Sequence, residues 1–220
     1  RCVMDNSHLV LRTKLIDRMF HWSMVSCFTL VALSGLSWFF PSLNWLGYVL
    51  GPPQLARVLH PFLGIAVFGL LMCMFVRFVH HNLFVRTDLT WFRHIADVLL
   101  NKHGQKLQIG KYNAGQKILF WGIMSLISLL FVSGLMIWRA YFAALFPIPV
   151  LRLALLAHSI AGLALILLVI GHIYMGIWVR GSIGGMISGY VTRAWARQHH
   201  DRWYEEEVAP TKPLPSKRHG

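Results

Sequence analysis

Apolar residues gather along this chain into four long runs, set between stretches rich in Lys, Arg and His. A helix that crosses a bilayer needs about 20 consecutive, mostly apolar residues. Runs at about 20–40, 55–79, 116–138 and 151–179 meet that length. The last is long enough to tilt or to project from the bilayer. Pro41–Gln54, broken by Gly51, Pro52 and Pro53, is a short link between the first two runs, and Arg139–Val150 is another between the third and fourth. The middle connection, 80–115, is much longer. Within it Trp91, Phe92, Ile95, Val98 and Leu99 recur near helical spacing, with Arg93, Asp97 and Lys102 among them. That pattern predicts an amphipathic helix lying along the membrane interface. The expected fold is an all-α membrane protein, a four-transmembrane-helix bundle. Its parts are an arm over 1–19, a membrane domain over 20–179 and a polar segment over 180–220. The tail from Pro210 is Pro-rich and charged and is expected to be disordered. The runs show no internal repeat.

Composition agrees with this pattern. The 220 residues are 56% hydrophobic with mean hydropathy +0.54, above the roughly 45–50% apolar content of soluble proteins. The net charge is nevertheless +13. A basic soluble protein would suggest nucleic acid. Here the charges bracket apolar runs, so the expected partner is a membrane surface and not nucleic acid. Of the 21 Lys and Arg, all but Arg57, Arg139 and Arg152 fall in the arm, the 80–115 connection with its helix ends, or the C-terminal segment. The positive-inside rule then puts both termini and the long connection in the cytoplasm.

Cys2, Cys27 and Cys73 have neither metal-ligand nor disulfide spacing. No CxxCH occurs, which excludes covalent c-type haem. The first apolar run is too long for a cleavable signal and ends without a small-residue cleavage site, so none is expected. The chain opens on Arg1, so its numbering is expected to begin inside the encoded protein.

Ionisable side chains inside membrane spans are costly and usually functional. His21 opens the first span. His60 and His158 sit near the starts of the second and fourth. His172 follows His158 by 14 residues, roughly 21 Å along a helix, and returns to within about 40° of the same direction. Depth pairs His60 with His158 near the outer face and His21 with His172 near the inner face. Two neutral imidazoles on facing helices saturate the axial positions of a haem iron, which suits electron transfer. Two b-type haems are therefore expected. Gly64, Gly162 and Gly176 each follow a histidine by four residues, clearing the same helix face, although small residues also serve helix packing in membranes. His80 and His81 are rivals for the inner site but are expected at the interface. His8, His94, His103, His199, His200 and His219 lie in polar segments and are expected to be solvated or to face headgroups.

The third span begins at Gly110–Lys117, level with the inner pair. Lys111, Tyr112, Asn113 and Gln116 offer hydrogen bonds to a quinone carbonyl, and Gly115 lets a ring approach. Asn113 with Gln116 three residues later equally resembles a capping box. Both roles can coexist.

The stretches RTKLIDRMFHW (Arg12–Trp22), LSGLSWFFPSLNWL (Leu33–Leu46), GPPQLARVLHPFLGI (Gly51–Ile65), RFVHHN (Arg77–Asn82), GKYNAGQK, WRAYFAALFPIPVLR (Trp138–Arg152), HIYMGIWVRGSIGGMISG (from His172) and WARQHHDRWY (Trp195–Tyr204) resemble the cytochrome b (gamma) subunit of respiratory formate dehydrogenases of the nitrate-inducible and aerobic types. The resemblance runs from Arg12 to about Glu207. It departs from the family where Trp138-Arg139 is followed by Ala140 and not by Pro. It implies His60 and His158 on the outer haem, His21 and His172 on the inner, and menaquinone or ubiquinone near Asn113, Gly115, Gln116 and His172. It implies further a multi-pass protein of the bacterial cytoplasmic membrane. Its partners would be an iron–sulfur (beta) subunit and a molybdenum- or tungsten-containing catalytic (alpha) subunit, in a heterotrimer that can form a higher oligomer. Formate would be oxidised outside the membrane and quinone reduced at the cytoplasmic side, so the chain carries electrons and does not oxidise formate unaided. Alternatives are the cytochrome b subunit of a nickel–iron hydrogenase or thiosulfate reductase, or a haem-free anchor or proton-carrying transporter.

Overall fold

The computed structural model describes residues 8–93 and 108–210. In chain order it contains β1 (Leu9–Leu11), α1 (Leu15–Phe39), α2 (Pro53–Phe78), α3 (Arg86–Arg93), α4 (Ala114–Ile137), α5 (Ile148–Trp178), α6 (Gly184–Ile187), β2 (Tyr190–Thr192), α7 (Arg193–His199) and α8 (Asp201–Trp203), closed by a π-helical turn at Tyr204–Val208. Of the expected interfacial helix, Ile95, Asp97, Val98, Leu99 and Lys102 lie outside the described residues, as do His94, His103, His219 and the tail beyond 210.

Local chemistry sets where the long helices start. α1 begins ahead of its apolar run, because the Lys14 carbonyl accepts from the amides of Asp17 and Arg18 and Asp17 puts negative charge at the helix N-terminus. Before α2 the chain turns at Gly51, whose φ of 92° is costly for any residue with a Cβ. Pro53 then opens the helix where a missing N–H costs nothing. Asn113 and Gln116 form the start of α4. The Gln116 amide donates to Asn113 Oδ1 at 2.9 Å, and the Asn113 amide donates to Gln116 Oε1 at 3.0 Å, the reciprocal capping box read from the sequence.

α1, α2, α4 and α5 are each long and apolar enough to cross a membrane. Their outward faces carry Val76, Leu153 and Leu167 at 73%, 67% and 69% exposure, far more contiguous apolar surface than a soluble monomer leaves in water. Several hydroxyls within them are satisfied locally. The hydroxyls of Ser26, Thr29 and Ser159 donate to the carbonyls of Trp22, Val25 and Leu155, four residues back.

The chain divides into two compact units. One comprises residues 19–77 and 121–173 and holds most of the four long helices. The other joins 1–18, 78–120 and 174–220, three polar stretches far apart in sequence. In this second unit β1 pairs antiparallel with β2, Val10 opposite Val191, so the fold is mostly helical and not all-α as expected. Three-residue strands carry too little alternation to be read from sequence. Val191, Ala196, Trp203 and Val208 form the unit's core. The Asp201 carboxylate accepts from the amides of Gln108 and Ile109, and the Ile109 carbonyl accepts from Arg202 and Trp203.

Candidate functional site

In the helical unit the four expected histidines form two pairs. His60 of α2 and His158 of α5 face each other with ring centroids 6.4 Å apart, and His21 of α1 and His172 of α5 are also 6.4 Å apart. Rings in direct contact lie closer, as His80 and His81 do at 3.9 Å. Metal–imidazole bonds are about 2.0–2.1 Å. With each nitrogen about 1.1 Å from its ring centre, two imidazoles on opposite sides of one iron have centroids about 6.3 Å apart. Both pairs match that spacing.

The His60–His158 pair borders a cavity of about 1050 Å³, at the upper end of the roughly 300–1,000 Å³ of ligand pockets. Gly35, Gly64, Gly134 and Gly162 line it, and Arg57 and Arg139 contribute its cationic groups. A Cβ on Gly134 would stand 3.1 Å from His158 Cε1, and one on Gly35 would stand 3.6 Å from His60 Cε1. A Cβ on Gly64 would meet nothing within 4 Å, and one on Gly162 only Leu130. Two glycines thus make room for the imidazoles, and two leave open the space beside them. An apolar slot with a pair of opposed imidazoles and cations at its edge fits haem b, whose macrocycle is flat and whose two propionates are its anionic groups.

Two serines complete this pair. Ser34 Oγ lies 2.8 Å from His60 Nδ1, and Ser133 Oγ lies 3.1 Å from His158 Nδ1. Each hydroxyl donates to a carbonyl of its own helix, Ser34 to Leu30 at 3.0 Å or Val31 at 2.9 Å, and Ser133 to Leu129 at 2.6 Å. With its hydrogen so placed, each Oγ can accept Nδ1–H, in the tautomer that leaves the Nε2 lone pair for a metal. Ser34, Ser133, Gly35 and Gly134 were not singled out from the sequence. The signal was present, since Ser-Gly-Leu recurs at Ser34–Leu36 and Ser133–Leu135, with the partner histidine 26 and 25 residues later. The helix pairs α1–α2 and α4–α5 thus repeat one device.

The remaining expected site residues lie in the second unit. Asn113 and Gln116 use their side-chain oxygens in the cap, which leaves their amide NH₂ groups for other partners. Gly115 is covered by an aromatic ring, because a Cβ there would meet Trp91 Cη2 at 3.0 Å. Burial raises the Tyr112 phenol above its usual value and keeps it a neutral donor. It stands 5.5 Å from the Arg12 guanidinium. Burial, and then Arg12, lower the Lys111 amine. His200, expected to be solvated, is 2% exposed. Its Nδ1 lies 2.8 Å from the Gly110 carbonyl and its Nε2 3.3 Å from Arg12 Nη2. Nδ1–H thus donates to the carbonyl and Nε2 accepts from the guanidinium, so the ring is neutral. Arg12 also donates to the Lys111 carbonyl and lies 4.5 Å over the Trp203 ring. Burial lowers its guanidinium to about 10, still charged at neutral pH.

Residues 12–189 match the family described as prokaryotic cytochrome b561. The nitrate-inducible formate dehydrogenase cytochrome b556(Fdn) subunit of Escherichia coli K12 is 54% identical over 203 residues, 92% of this chain and 94% of its own length. The formate dehydrogenase cytochrome b556(fdo) subunit of the same strain is 46% identical over 92% of this chain and 95% of its own. The formate dehydrogenase cytochrome b556 subunit of Haemophilus influenzae is 41% identical over 93% and 86%. Haem b binding and electron transport follow from this kinship, as does a multi-pass place in the bacterial inner membrane. The chain belongs to the prokaryotic cytochrome b561 family, among the cytochrome b556 subunits of formate dehydrogenase.

Proposed function

We infer that this chain is the dihaem electron-carrying subunit of a formate dehydrogenase, with His60 and His158 holding an outer haem b and His21 and His172 an inner one. The observation that carries this reading is the 6.4 Å separation of both imidazole pairs. It is the spacing of two axial ligands on one iron, and it recurs at two sites. When bound, haem b supplies reversible one-electron transfer, and two such sites in series give a route across the bilayer.

The protein's own part is to hold and enclose. Paired imidazoles would hold the iron from both sides and leave no position for a small ligand. Gly64 and Gly162 leave the slot open, and Arg57 and Arg139 offer charge to propionates. Nearly all Lys and Arg lie in the arm, the long connection and the C-terminal segment, which supports cytoplasmic termini. The division into arm, membrane domain and C-terminal segment is proposed on the same ground. Electrons from formate, released at a molybdenum- or tungsten-containing subunit and relayed by an iron–sulfur subunit, would enter at the outer face. They would leave to menaquinone or ubiquinone at the cytoplasmic side. Tyr112, Asn113, Gly115 and Gln116 at the start of α4 are proposed for the quinone from their donor chemistry, with Trp91 against Gly115 required to yield to a ring. For His172 a role toward quinone rests on the resemblance alone.

Haem extraction and a reduced-minus-oxidised spectrum of the purified complex test this reading. Two haems b per chain with sharp reduced alpha bands are expected, and His158→Ala should lose one haem and keep the other. Retention of both, or one haem per wild-type chain, would overturn it.

A further inference from the structure

We propose that Ser34 and Ser133 set the redox potential of the His60–His158 haem, holding it below that of the His21–His172 haem. The inference rests on the two-haem reading above. Both serines are buried, at 0% and 3% exposure, and each sets its Oγ within hydrogen-bond distance of one imidazole's Nδ1, with a helix carbonyl in reach of its own hydrogen. In the tautomer that presents Nε2 to a metal, that makes two relays of the form Nδ1–H to Oγ–H to O=C, one behind each imidazole of the pair. A donor chain of this kind polarises along its length. It draws the Nδ1 proton away from the ring and makes the imidazole a stronger donor to the metal. A stronger axial donor favours the ferric state, so the potential falls.

The other pair lacks this feature at His21, whose Nδ1 is buried without a hydrogen-bond partner among the described residues. A ring with no acceptor at Nδ1 gives less electron density to its metal. The two sites share ligand type and ligand spacing, yet they differ in what stands behind the ligands. The resulting order makes transfer from the first haem to the second downhill. Ser34 and Ser133 are positioning residues, because they act through the imidazoles.

The test replaces each serine in the whole complex by Thr or by Val, which match in shape and differ in the hydroxyl. Midpoint potentials are read by spectroscopic redox titration, and haem content by extraction. The Thr variants should keep the wild-type potential. The Val variants should raise one haem's midpoint and leave the other unchanged, with the double Val variant shifting the oxidised-to-reduced ratio by about tenfold at fixed ambient potential, about 59 mV for one electron. Loss of one haem in a Val variant but not in its Thr counterpart would equally support a hydroxyl that holds the ligand. Equal shifts in Thr and Val, or two haems with unmoved potentials in the double Val variant, would overturn the proposal. Fewer than two haems in the unmodified complex would instead overturn the reading beneath it.

Discussion

Lys117 Nζ donates to Asp88 Oδ2 at 2.8 Å with both side chains withdrawn from solvent, 4% and 10% exposed. The contact fastens α3 of the long connection to the first turn of α4. Lys117 also donates to the Leu83 carbonyl at 2.9 Å, and Asp88 accepts the Val85 amide at 2.7 Å. Both charges are therefore hydrogen-bonded as well as paired, the condition under which burying them is tolerable. Lys117→Met strands the carboxylate and should destabilise this unit by about 3–5 kcal/mol. The check is the thermal midpoint of the complex in detergent, with Asp88→Asn added to recover part of the loss. An unchanged midpoint in Lys117→Met would show that the pair contributes no stability.

A second prediction concerns acid. Burial and the adjacent Arg12 guanidinium, with His199 adding a smaller effect, hold the His200 imidazole well below its ordinary value. Its folded form stays neutral where the unfolded chain, titrating near about 6.5, takes up a proton. Stability from this site is therefore complete above about pH 6.5 and declines as pH falls below it. Amides of 193–208 should exchange hydrogen faster at about pH 5 than at about pH 7, beyond the intrinsic pH effect on exchange. His200→Gln can donate to the Gly110 carbonyl and accept from Arg12 without titrating, so its exchange should lose the excess. An identical excess in that variant would assign the effect to other groups.

Some of this molecule is legible in its sequence, and the reasons differ from place to place. The four long helices announce themselves because a membrane span must be continuous and apolar, and the histidines stand out because they interrupt it. The Asn113–Gln116 cap was legible because both partners fall within one turn. His200 was not. Its neighbours are polar, but Arg12 and Gly110, which bury it, lie 188 and 90 residues away. The pairing of Leu9–Leu11 with Tyr190–Thr192 escaped for the same reason. Ser34 and Ser133 escaped for another. A serine in an apolar helix ordinarily bonds back to its own carbonyl, as Ser26 and Ser159 do here, and only the imidazole behind it reveals a second task.

Arg57 and Arg139 are two of the three cations outside the arm, the long connection and the C-terminal segment, and both line the His60–His158 cavity. Exposed cations on the lining of an apolar slot can pair with anions, and the propionates of haem b are the anions this slot would receive. Arg57→Gln with Arg139→Gln should weaken retention of one haem in detergent while sparing the other. Haem loss to apomyoglobin measures this directly, and an unaltered rate would remove both arginines from the site.

The glycines give the sharpest steric prediction. A Cβ at Gly134 would sit 3.1 Å from His158 Cε1, tight enough that the imidazole must yield by a few tenths of an ångström. Gly134→Ala should therefore retain haem but disturb its axial field, shifting the low-spin EPR signal of one haem. Gly134→Val adds methyls that the ring cannot avoid, and should abolish that haem. Gly64 is the counterpart, because a Cβ there meets nothing within 4 Å. Gly64→Ala should be nearly silent if the open space were spare volume. A macrocycle lying against that face turns Gly64→Leu into a block on one haem, with helix content unchanged because leucine favours helix over glycine by about 1 kcal/mol. Full occupancy of both haems in Gly64→Leu would mean that the space beside His60 is not where the porphyrin lies.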